Sequence, residues 1–498
     1  MRLASRLTIA IAAPLMIACQ DSSTAPNVLD SEVQLAKGGN KDCHLPHRTT
    51  SISLTPDVAE ILTTGSIEIT AYNQSQDEIP DCAMQWSTSD PDVATVSDDG
   101  RVTAVGPGGP ITITARTKAK HLIGIARIVV AGTPTVHGSL AVGYHHTCAL
   151  TAVGEAYCWG SNNHGQLGDE SLTHRSTPTA VSGGLRFVQL TAGVWHTCGL
   201  TAEGKAYCWG ANVDGALGTG TTSSQTSPTA VIGNLSFELL EAGGNHTCGI
   251  STSGGTYCWG ANESGQLGVG LFSIPSNFPR SPTLVVGGER FTTLTAGLQH
   301  TCGISTNGTW CWGSNFQGQL GDQTNTDRSV PTPVSGGQIY QAVSSGAFHT
   351  CAKLSNAQWH CWGDNFYGQL GDGTVIDRTV PTPVAGSIAF ARLDGATLNT
   401  CAVAISGSAF CWGTDRYDQF GNGTAGDSFT PTPVSGGLNF TRIGTGTQHT
   451  CGMTTLGTAY CWGHGDVGQI GNGILDIHSV PTAVAGGLTF AANVSVPE

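Results

Sequence analysis

Hydrophobic and polar residues alternate with a period of two in many short stretches of the chain. Examples are Ser51–Leu54, Ser66–Thr70 and Ile111–Ala115 in the first third, and Leu185–Leu190 further on. A period of two places successive side chains on opposite faces, which is typical of a β-strand with one buried face. Clusters of Gly, Pro, Asn, Asp and Ser separate the stretches. The pattern therefore predicts an all-β protein of many short strands.

The chain repeats itself every 49 to 54 residues from about residue 138 to its end. The first copy contains His146–Leu150, Gly154, Tyr157–Gly160, Gly165–Gly168 and Pro178. Each copy predicts four antiparallel strands, and the proline suits an outer strand because it cannot donate to a ladder. Four strands in about 50 residues are typical of a propeller blade. Seven copies predict a seven-bladed β-propeller over residues 138–498.

The ends of the repeat region predict how the ring closes. The first copy lacks the apolar strand that precedes His-Thr-Cys in the other copies, and the C-terminal segment Gly486–Val494 has the sequence of that strand. We expect this segment to complete the first blade, which removes two open sheet edges. We also expect Leu167 and its equivalents to fill the space between blades.

The repeat resembles the regulator of chromosome condensation family, whose consensus includes His-Thr-x-x-Leu, Trp-Gly-x-Asn and Gly-Gln-Leu-Gly. The departures are Asn399 for histidine, Ala216 for glutamine, and Phe420 and Ile470 for leucine. The resemblance implies that the repeated histidines belong to the fold and are not a proton-transfer or metal site. They are His146, His196, His246, His300, His349 and His449.

A second resemblance covers residues 43–133. The run Trp86–Ser97, followed by Gly100–Ala104, looks like the bacterial Ig-like group 2 domain, a small β-sandwich that often serves as a spacer in surface proteins. Trp86 is then expected in the core of the sandwich.

The N-terminus has the composition of an export signal. Arg2 and Arg6 precede the apolar segment Leu7–Ala18, and Met16–Cys19 resembles a bacterial lipobox. We predict a signal peptide at 1–18, lipidation of Cys19 and a flexible tether at 19–42; a plain signal peptide is the alternative. Gln20 after the cysteine favours the outer membrane. The expected location is the bacterial cell envelope, with membrane contact through the lipid only.

The 17 cysteines also suit an oxidising compartment. Fourteen of them form pairs that flank the same hairpin turn in each repeat, where directly opposite positions suit a disulfide. These pairs are Cys148 and Cys158, Cys198 and Cys208, Cys248 and Cys258, Cys302 and Cys311, Cys351 and Cys361, Cys401 and Cys411, and Cys451 and Cys461. Cys43 and Cys82 remain as an expected pair in the sandwich. Metal binding by His, Cys and Cys of each repeat is the alternative, but structural zinc sites have four ligands and closer cysteine spacing.

Charge and motifs narrow the functional classes. A formal net charge of −14 disfavours nucleic-acid binding through a basic surface. The sequence lacks the nucleophile elbow, zinc-protease, phosphate-loop and dinucleotide motifs. We therefore expect no enzyme and no cofactor. Calcium binding by Asp372 with Asp377, or by Asp322 with Asp327, is the alternative to a role as solvated turn residues.

The residues that differ between repeats are the candidates for binding. Aromatic residues and arginine are favoured in interfaces, although several could simply pack between loops. They are Trp195, Phe272, Phe278, Arg280, Phe316, Phe348, Phe366, Tyr367 and Tyr417. The expected function is a binding module for a protein or polysaccharide partner. There are three alternatives. The first is inhibition of a secreted enzyme, which the resemblance suggests because some secreted bacterial propellers of this class inhibit β-lactamases. The others are guanine-nucleotide exchange and enzymatic activity on polysaccharides.

Overall fold

A computed structural model describes residues 45–46, 49–62, 66–105, 108–131, 136, 139–274 and 277–492. The predicted signal peptide, Cys19, the tether and Cys43 lie outside these residues. The chain divides into two compact units between Val130 and Ala131. Within the described residues, no helix has the length and apolarity needed to cross a bilayer.

The described residues of the first unit form nine strands and one 3-10 turn. Its sheets have the strand orders β1-β4, β2-β9-β8-β5 and β3-β7-β6. The strands are β1 Ile52–Thr55, β2 Val58–Leu62, β3 Ser66–Glu68, β4 Thr70–Asn73, β5 Met84–Thr88, β6 Ala94–Val96, β7 Arg101–Ala104, β8 Gly108–Thr117 and β9 Ile123–Ala131, and the 3-10 turn is Asp81–Ala83.

The sandwich core explains why one predicted strand is divided. Ile69 is fully buried and donates its backbone N–H to the carbonyl of Gly100, so Ser66–Thr70 contributes to two different sheets. Trp86 packs against the same core. Gly100 has φ +81°, and a Cβ there would meet the Trp86 ring, which accounts for the glycine.

The second unit contains seven four-stranded antiparallel sheets among the described residues, and the strand order in each follows the chain. We name them blades 1 to 7. The strands of blades 1 to 3 are β10 Leu140–Val142, β11 His146–Leu150, β12 Ala156–Gly160, β13 Arg175–Ala180, β14 Gln189–Ala192, β15 His196–Leu200, β16 Ala206–Gly210, β17 Gln225–Ala230, β18 Phe237–Ala242, β19 His246–Ser251, β20 Thr256–Gly260 and β21 Thr283–Leu284.

Blades 4 to 7 follow the same plan, and the first strands of neighbouring blades touch one another, including β10 with β34. The sheets therefore close into a ring. The strands are β22 Phe291–Ala296, β23 His300–Ser305, β24 Gly308–Gly313, β25 Arg328–Pro333, β26 Tyr340–Ser345, β27 His349–Leu354, β28 Trp359–Gly363, β29 Arg378–Pro383, β30 Phe390–Gly395, β31 Asn399–Ala404, β32 Ala409–Gly413, β33 Ser428–Pro433, β34 Phe440–Thr445, β35 His449–Thr454, β36 Ala459–Gly463 and β37 His478–Ala483.

A disulfide joins the two middle strands of every blade. Cys148 lies directly opposite Cys158, their Cα atoms are 4.1 Å apart, and the other six predicted pairs are bonded in the same way. In blade 4 the shorter segment is absorbed by a tighter turn, in which Ser305 pairs with Gly308. In the first unit Cys82 is disulfide-bonded.

The expected closure of the ring is partly wrong. Blade 1 does have a first strand of its own, the short β10. The carbonyl of Ser139, the residue just before β10, accepts a hydrogen bond from the backbone N–H of Leu150. The C-terminal segment adds the start of that strand: Phe490 pairs with Thr151, and Ala491 donates to the carbonyl of Leu150. The innermost strand of blade 1 is therefore assembled from both ends of the propeller.

The Gly-Gln-Leu-Gly loop of each blade is bound by the following blade. The backbone carbonyl of Gln166 accepts hydrogen bonds from Trp209 Nε1 at 2.9 Å and from Thr197 Oγ1 at 2.8 Å. Leu167 is fully buried in one cluster with Trp209, as expected. Ala216 of blade 2 presents its carbonyl to Trp259 in the same way. The contact survives the replacement of glutamine by alanine because the loop contributes only its backbone carbonyl to it.

A second set of contacts, which we call the His–Thr belt, links each repeated histidine to the threonine of the following blade. His146 Nε2 lies 2.9 Å from Thr197 Oγ1, and His449 Nε2 of blade 7 lies 2.8 Å from Thr147 Oγ1 of blade 1. The four other contacts are His196 to Thr247, His246 to Thr301, His300 to Thr350 and His349 to Thr400. This geometry agrees with a role of the histidines in the fold.

Candidate binding face

The strand directions divide the propeller loops between two faces. The strands of a blade are antiparallel, so the connection from the first to the second strand and the connection from the third to the fourth lie at the same end of the blade. We call this end the long-loop face. The turns between the second and third strands, and the connections between blades, lie at the opposite end, which we call the hairpin face.

Most of the predicted binding residues come together on the long-loop face. Trp195 and Phe348 directly precede a histidine of the repeat. Four other aromatic residues lie early in the loops between third and fourth strands, namely Phe316, Phe366, Tyr367 and Tyr417. We define the aromatic arc as Tyr144, Trp195, Phe316, Phe348, Phe366, Tyr367 and Tyr417. Its members come from blades 1, 2, 4, 5 and 6, and residues far apart in sequence therefore form one surface.

Trp195 anchors one end of the arc. It is half-buried against three residues of blade 1, with ring-centroid distances of 6.3 Å to Tyr144, 5.8 Å to His145 and 5.3 Å to His164. Partial burial lowers the pKa of His145, and nearby Asp466 opposes this shift. This region therefore combines aromatic rings with the imidazole rings of His145 and His164.

The remaining rings are more exposed. Phe316 packs on half-buried Phe348 at 5.6 Å but is 54% exposed, and Phe366 packs edge-on against Tyr367 at 4.9 Å but is 70% exposed. Arg416 of blade 6 lies 4.9 Å above the Tyr367 ring. Packing of one ring against another leaves much of each pair accessible.

The arc continues into blade 7. Tyr417 lies 5.3 Å from His464, whose Nδ1 is 3.1 Å from Asp466. Sequence reasoning missed Tyr144, the three neighbouring histidines and Arg416. A positional comparison could have found them, because they lie in the same two loops of the repeat as the predicted aromatic residues.

The long loop of blade 3 contributes differently from what its sequence predicts. Phe272 is 55% exposed and Arg280 is exposed, as a contact role requires. The prediction for Phe278 is wrong: only 4% of it is exposed, so it belongs to the interior of the loop. An apolar ring in a long loop can serve packing as well as contact, and its sequence does not distinguish the two.

The aspartates considered for calcium are already paired. Asp372 Oδ2 lies 2.7 Å from Arg378, and its Oδ1 accepts hydrogen bonds from Asn365 and Thr374. Asp322 makes the equivalent contact with Arg328 at 2.8 Å. Within the described part of the chain, no group of three or more His, Cys, Asp or Glu side chains has a metal-binding arrangement.

Two carboxyl groups lie on the first strands near the long-loop face. Asp394 accepts hydrogen bonds from the Thr445 backbone N–H and hydroxyl, both at 2.7 Å, and burial raises its pKa to about 6. Burial, together with the charge of Asp394, raises the pKa of Glu241 to about 8. Asp394 thus binds the strand of the following blade, as Ser344 does for Gly395.

Blade 6 departs from the His–Thr belt in two residues at once. Asn399 replaces the histidine, and Ala396 replaces the glycine three residues earlier. At Gly346, the equivalent glycine of blade 5, an added Cβ would clash with His349 Cε1. An alanine there excludes an imidazole, so the two changes compensate each other.

Comparison with known protein families shows two matches. The regulator of chromosome condensation (RCC1) repeat matches residues 153–200, 203–250, 253–304, 307–352, 358–392 and 406–453, which together are more than half of the chain. A second description of that repeat matches five segments between residues 139 and 469. The bacterial Ig-like domain (group 2) matches residues 48–123.

Solved structures resemble the second unit. The structure of yeast RCC1 (Prp20) with bound Kap60 has 19% identity, a TM-score of 0.60, and coverage of 71% of this chain and 86% of that chain. Prp20p from Saccharomyces cerevisiae has 21% identity, a TM-score of 0.60 and coverage of 70% and 88%. Human WBSCR16 has 23% identity, a TM-score of 0.57 and coverage of 70% and 94%. At these identities the likeness concerns the fold.

Proposed function

Because this chain belongs to the regulator of chromosome condensation (RCC1) repeat family, we propose that its disulfide-bonded propeller is a binding module that presents the long-loop face to a protein partner. The aromatic arc carries this proposal. It gathers rings from five blades on one face, and Phe366 and Phe316 remain largely exposed. Aromatic side chains bury much area at little entropic cost, which makes them frequent energetic centres of interfaces.

Relatives support a protein as the partner. Yeast RCC1 is found with Kap60 bound, and Prp20p has been studied for its binding to Gsp1p and histones. Those partners belong to those proteins. What these relatives suggest for this chain is the binding of another protein, and a polysaccharide is the less favoured partner class.

The proposed setting is the bacterial cell envelope. Seven disulfides and a bacterial Ig-like domain are typical of an exported protein. We propose that lipidation at Cys19 attaches the protein to the outer membrane and that the Ig-like domain acts as a spacer. Export would separate the propeller from cytosolic GTPases, which disfavours guanine-nucleotide exchange.

Binding variants test the proposal directly. The soluble chain from residue 20 onward is used to capture proteins from envelope and secreted fractions of the source organism, and captured proteins are identified and titrated. Phe366→Ala with Tyr417→Ala should weaken the interaction at least about thirtyfold, since hot-spot residues contribute 2 kcal/mol or more. Leu456→Ala and Ile405→Ala on the hairpin face remove apolar residues that are 82% and 68% exposed. If the hairpin-face pair weakened binding as much, the proposed face would be wrong.

Enzyme inhibition is a specific form of the same proposal. The aromatic loops favour it, because inhibitor propellers of this class use such loops on one face. Purified secreted enzymes, β-lactamases among them, are assayed with wild type and the Phe366/Tyr417 variant. Inhibition by wild type, lost in the variant, would identify the partner as an enzyme.

A catalytic role has one observation in its favour, the carboxyl groups of Glu241 and Asp394 with their raised pKa values. We propose that the chain has no catalytic function, since Asp394 is already engaged with Thr445. Hydrolase activity on cell-wall polysaccharides that disappears in Glu241→Gln would overturn this proposal.

A further inference from the structure

The third-to-fourth-strand loops share one internal hydrogen-bond pattern, best seen in blade 5. Asn365 Nδ2 donates to the carbonyls of Thr374 and Ile376 at 3.0 and 3.1 Å and to Asp372 Oδ1 at 3.2 Å. Asn365 Oδ1 accepts from the Leu370 backbone N–H at 3.0 Å. An amide nitrogen thus satisfies oxygen atoms that all face inward from the loop.

Blade 6 has the opposite chemistry at the corresponding positions. Asp415 stands in place of the asparagine, Asn422 in place of the aspartate and Ser428 in place of the arginine. The change removes the amide donor at the centre of the loop. It also removes the guanidinium that neutralises the loop aspartate in blade 5.

Two hydrogen bonds that frame the blade 6 loop are nevertheless the same as in blade 5. Asp415 Oδ1 accepts from the Phe420 backbone N–H at 2.8 Å, as Asn365 Oδ1 does from Leu370, and the Asp415 backbone N–H donates to Asp427 Oδ1 at 2.9 Å, as Asn365 does to Asp377. Asp415 Oδ2 therefore occupies the place of the amide nitrogen. A hydrogen-bond acceptor in blade 6 thus stands where the blade 5 loop has a donor.

The resulting centre is rich in oxygen and lacks a partner. Asp415 is 1% exposed, and its Oδ2 is buried without a hydrogen bond. Burial, together with the charges of Asp418 and Asp427, raises the pKa of Asp415 to about 7, although the hydrogen bond from the Phe420 backbone N–H acts in the opposite direction. A buried carboxylate with one oxygen unpaired and no cationic partner is unfavourable, so the loop is arranged for a positive charge that the described residues do not supply.

We propose that the blade 6 loop binds a Ca²⁺ ion through Asp415 Oδ2 and the backbone carbonyls of Thr424 and Gly426, which correspond to those of Thr374 and Ile376. Ca²⁺ prefers oxygen ligands and readily takes backbone carbonyls with few carboxylates. The loop residues Thr424–Asp427 are exposed, so the ion and its remaining water ligands have access. The ion would link the centre of the loop to its rim, which Asn365 does by hydrogen bonds in blade 5.

Calorimetric titration of the chelator-treated full chain with CaCl₂ tests the site. We expect one Ca²⁺ per chain, and a rise in melting temperature of about 3 °C at a hundredfold excess over Kd. Asp415→Asn restores the residue found in five other blades and should abolish both effects while keeping the fold. Asp476→Asn removes an equal charge from an exposed position in blade 7 and should leave them unchanged.

Two further measurements make the outcome decisive. Ser428→Arg supplies the cation found at this position in blades 1, 4 and 5, and should also abolish calcium binding. Equal titration heats for wild type and Asp415→Asn would overturn the proposal. It would also be overturned if wild type bound no Ca²⁺ and instead gained stability relative to Asp415→Asn as the pH falls through 7, because a proton would then neutralise Asp415.

Discussion

At the scale of single residues, the His–Thr belt depends on a glycine as much as on a histidine. At five of the other junctions, as at Gly346, a Cβ would overlap the imidazole of the histidine three residues later. Blade 6 lacks both partners, so Thr450 receives no histidine from the preceding blade and keeps its bond to the Gln419 carbonyl and a weak contact with Cys401 Sγ at 3.9 Å. The junction between blades 6 and 7 is therefore the natural place to test what the contact contributes.

A double-mutant cycle at Ala396 and Asn399 measures this contribution. Asn399→His alone should destabilise the protein by about 1–3 kcal/mol, because the alanine Cβ overlaps the ring. Adding Ala396→Gly should reverse the loss and gain about 1 kcal/mol from the new bond to Thr450. Guanidinium unfolding of the four proteins gives the coupling energy. Additive effects would show that the paired replacement has no steric cause.

The belt should also make the protein sensitive to acid. Burial lowers the pKa of His300 from 6.5 to about 3, and the other five histidines of the belt are lowered similarly. Below pH 6.5 the unfolded chain takes up protons that the folded chain does not. The free energy of unfolding therefore contains the whole contribution of these histidines above pH 6.5, and this contribution is lost as the pH drops toward 3.

Each such histidine adds up to about 1.4 kcal/mol per pH unit to that loss. His300→Gln should reduce the slope of unfolding free energy against pH by about this amount between pH 6 and 4. Guanidinium titrations at several pH values provide the measurement. An unchanged slope would mean that His300 is protonated in the folded protein.

Single residues also mark the limit of what the sequence could predict. The cysteine pairing was predictable because both partners lie in one hairpin, where strand pairing brings them opposite each other. The contact of His146 with Thr197 was not, because it joins residues 51 positions apart in different repeats. Phe278 shows the same limit, since burial inside a loop depends on neighbours that local pattern does not reveal.

At the scale of elements, the disulfide-bonded hairpin is the constant unit of the propeller. All fourteen sulfurs of the blades are fully buried, and each bond closes the same two strands. Each such unit holds its hairpin even where the surrounding strands are short, as in blade 3, whose outer strand has only two residues.

Removing one bond should have a measurable cost. Cys248→Ala with Cys258→Ala should lower the unfolding free energy by about 3 kcal/mol, as the chain-entropy relation gives for a loop of this length. Guanidinium unfolding compares the variant with wild type. Cys82→Ala, which removes a cysteine from the first unit, is the control and should leave the propeller transition unchanged. Equal propeller stability of the double variant and wild type would contradict the expectation.

The composite strand of blade 1 gives a second test at this scale. Phe490 is 2% exposed and lies 6.1 Å from Trp159, the place that Phe187 takes beside Trp209 in blade 2. Phe490→Ala should cost about 3–5 kcal/mol, as for other buried phenylalanines. The exposed Leu456→Ala should cost little. Similar unfolding curves for Phe490→Ala and wild type would show that the C-terminal segment does not hold the ring.

At the scale of the whole molecule, the fold was predictable to a degree that the function was not. A repeat with fixed turns, cysteines and tryptophans predicts its blades from local pattern alone, and the family match agrees with that result. The aromatic arc required knowledge of which loops share a face, and the particular members of the arc differ from blade to blade. A partner recognises such differences, so they carry little repeat signal.

Both ends of the propeller meet at Leu150, so the ring has no necessary starting point. Ser139 and Ala491 bond to the same residue, so a short linker could join residue 492 to residue 139. New termini could then be placed between Gly386 and Ser387, which are exposed. Such a circular permutant should fold with every blade cysteine oxidised. The propeller fold would then not depend on which blade comes first in the sequence.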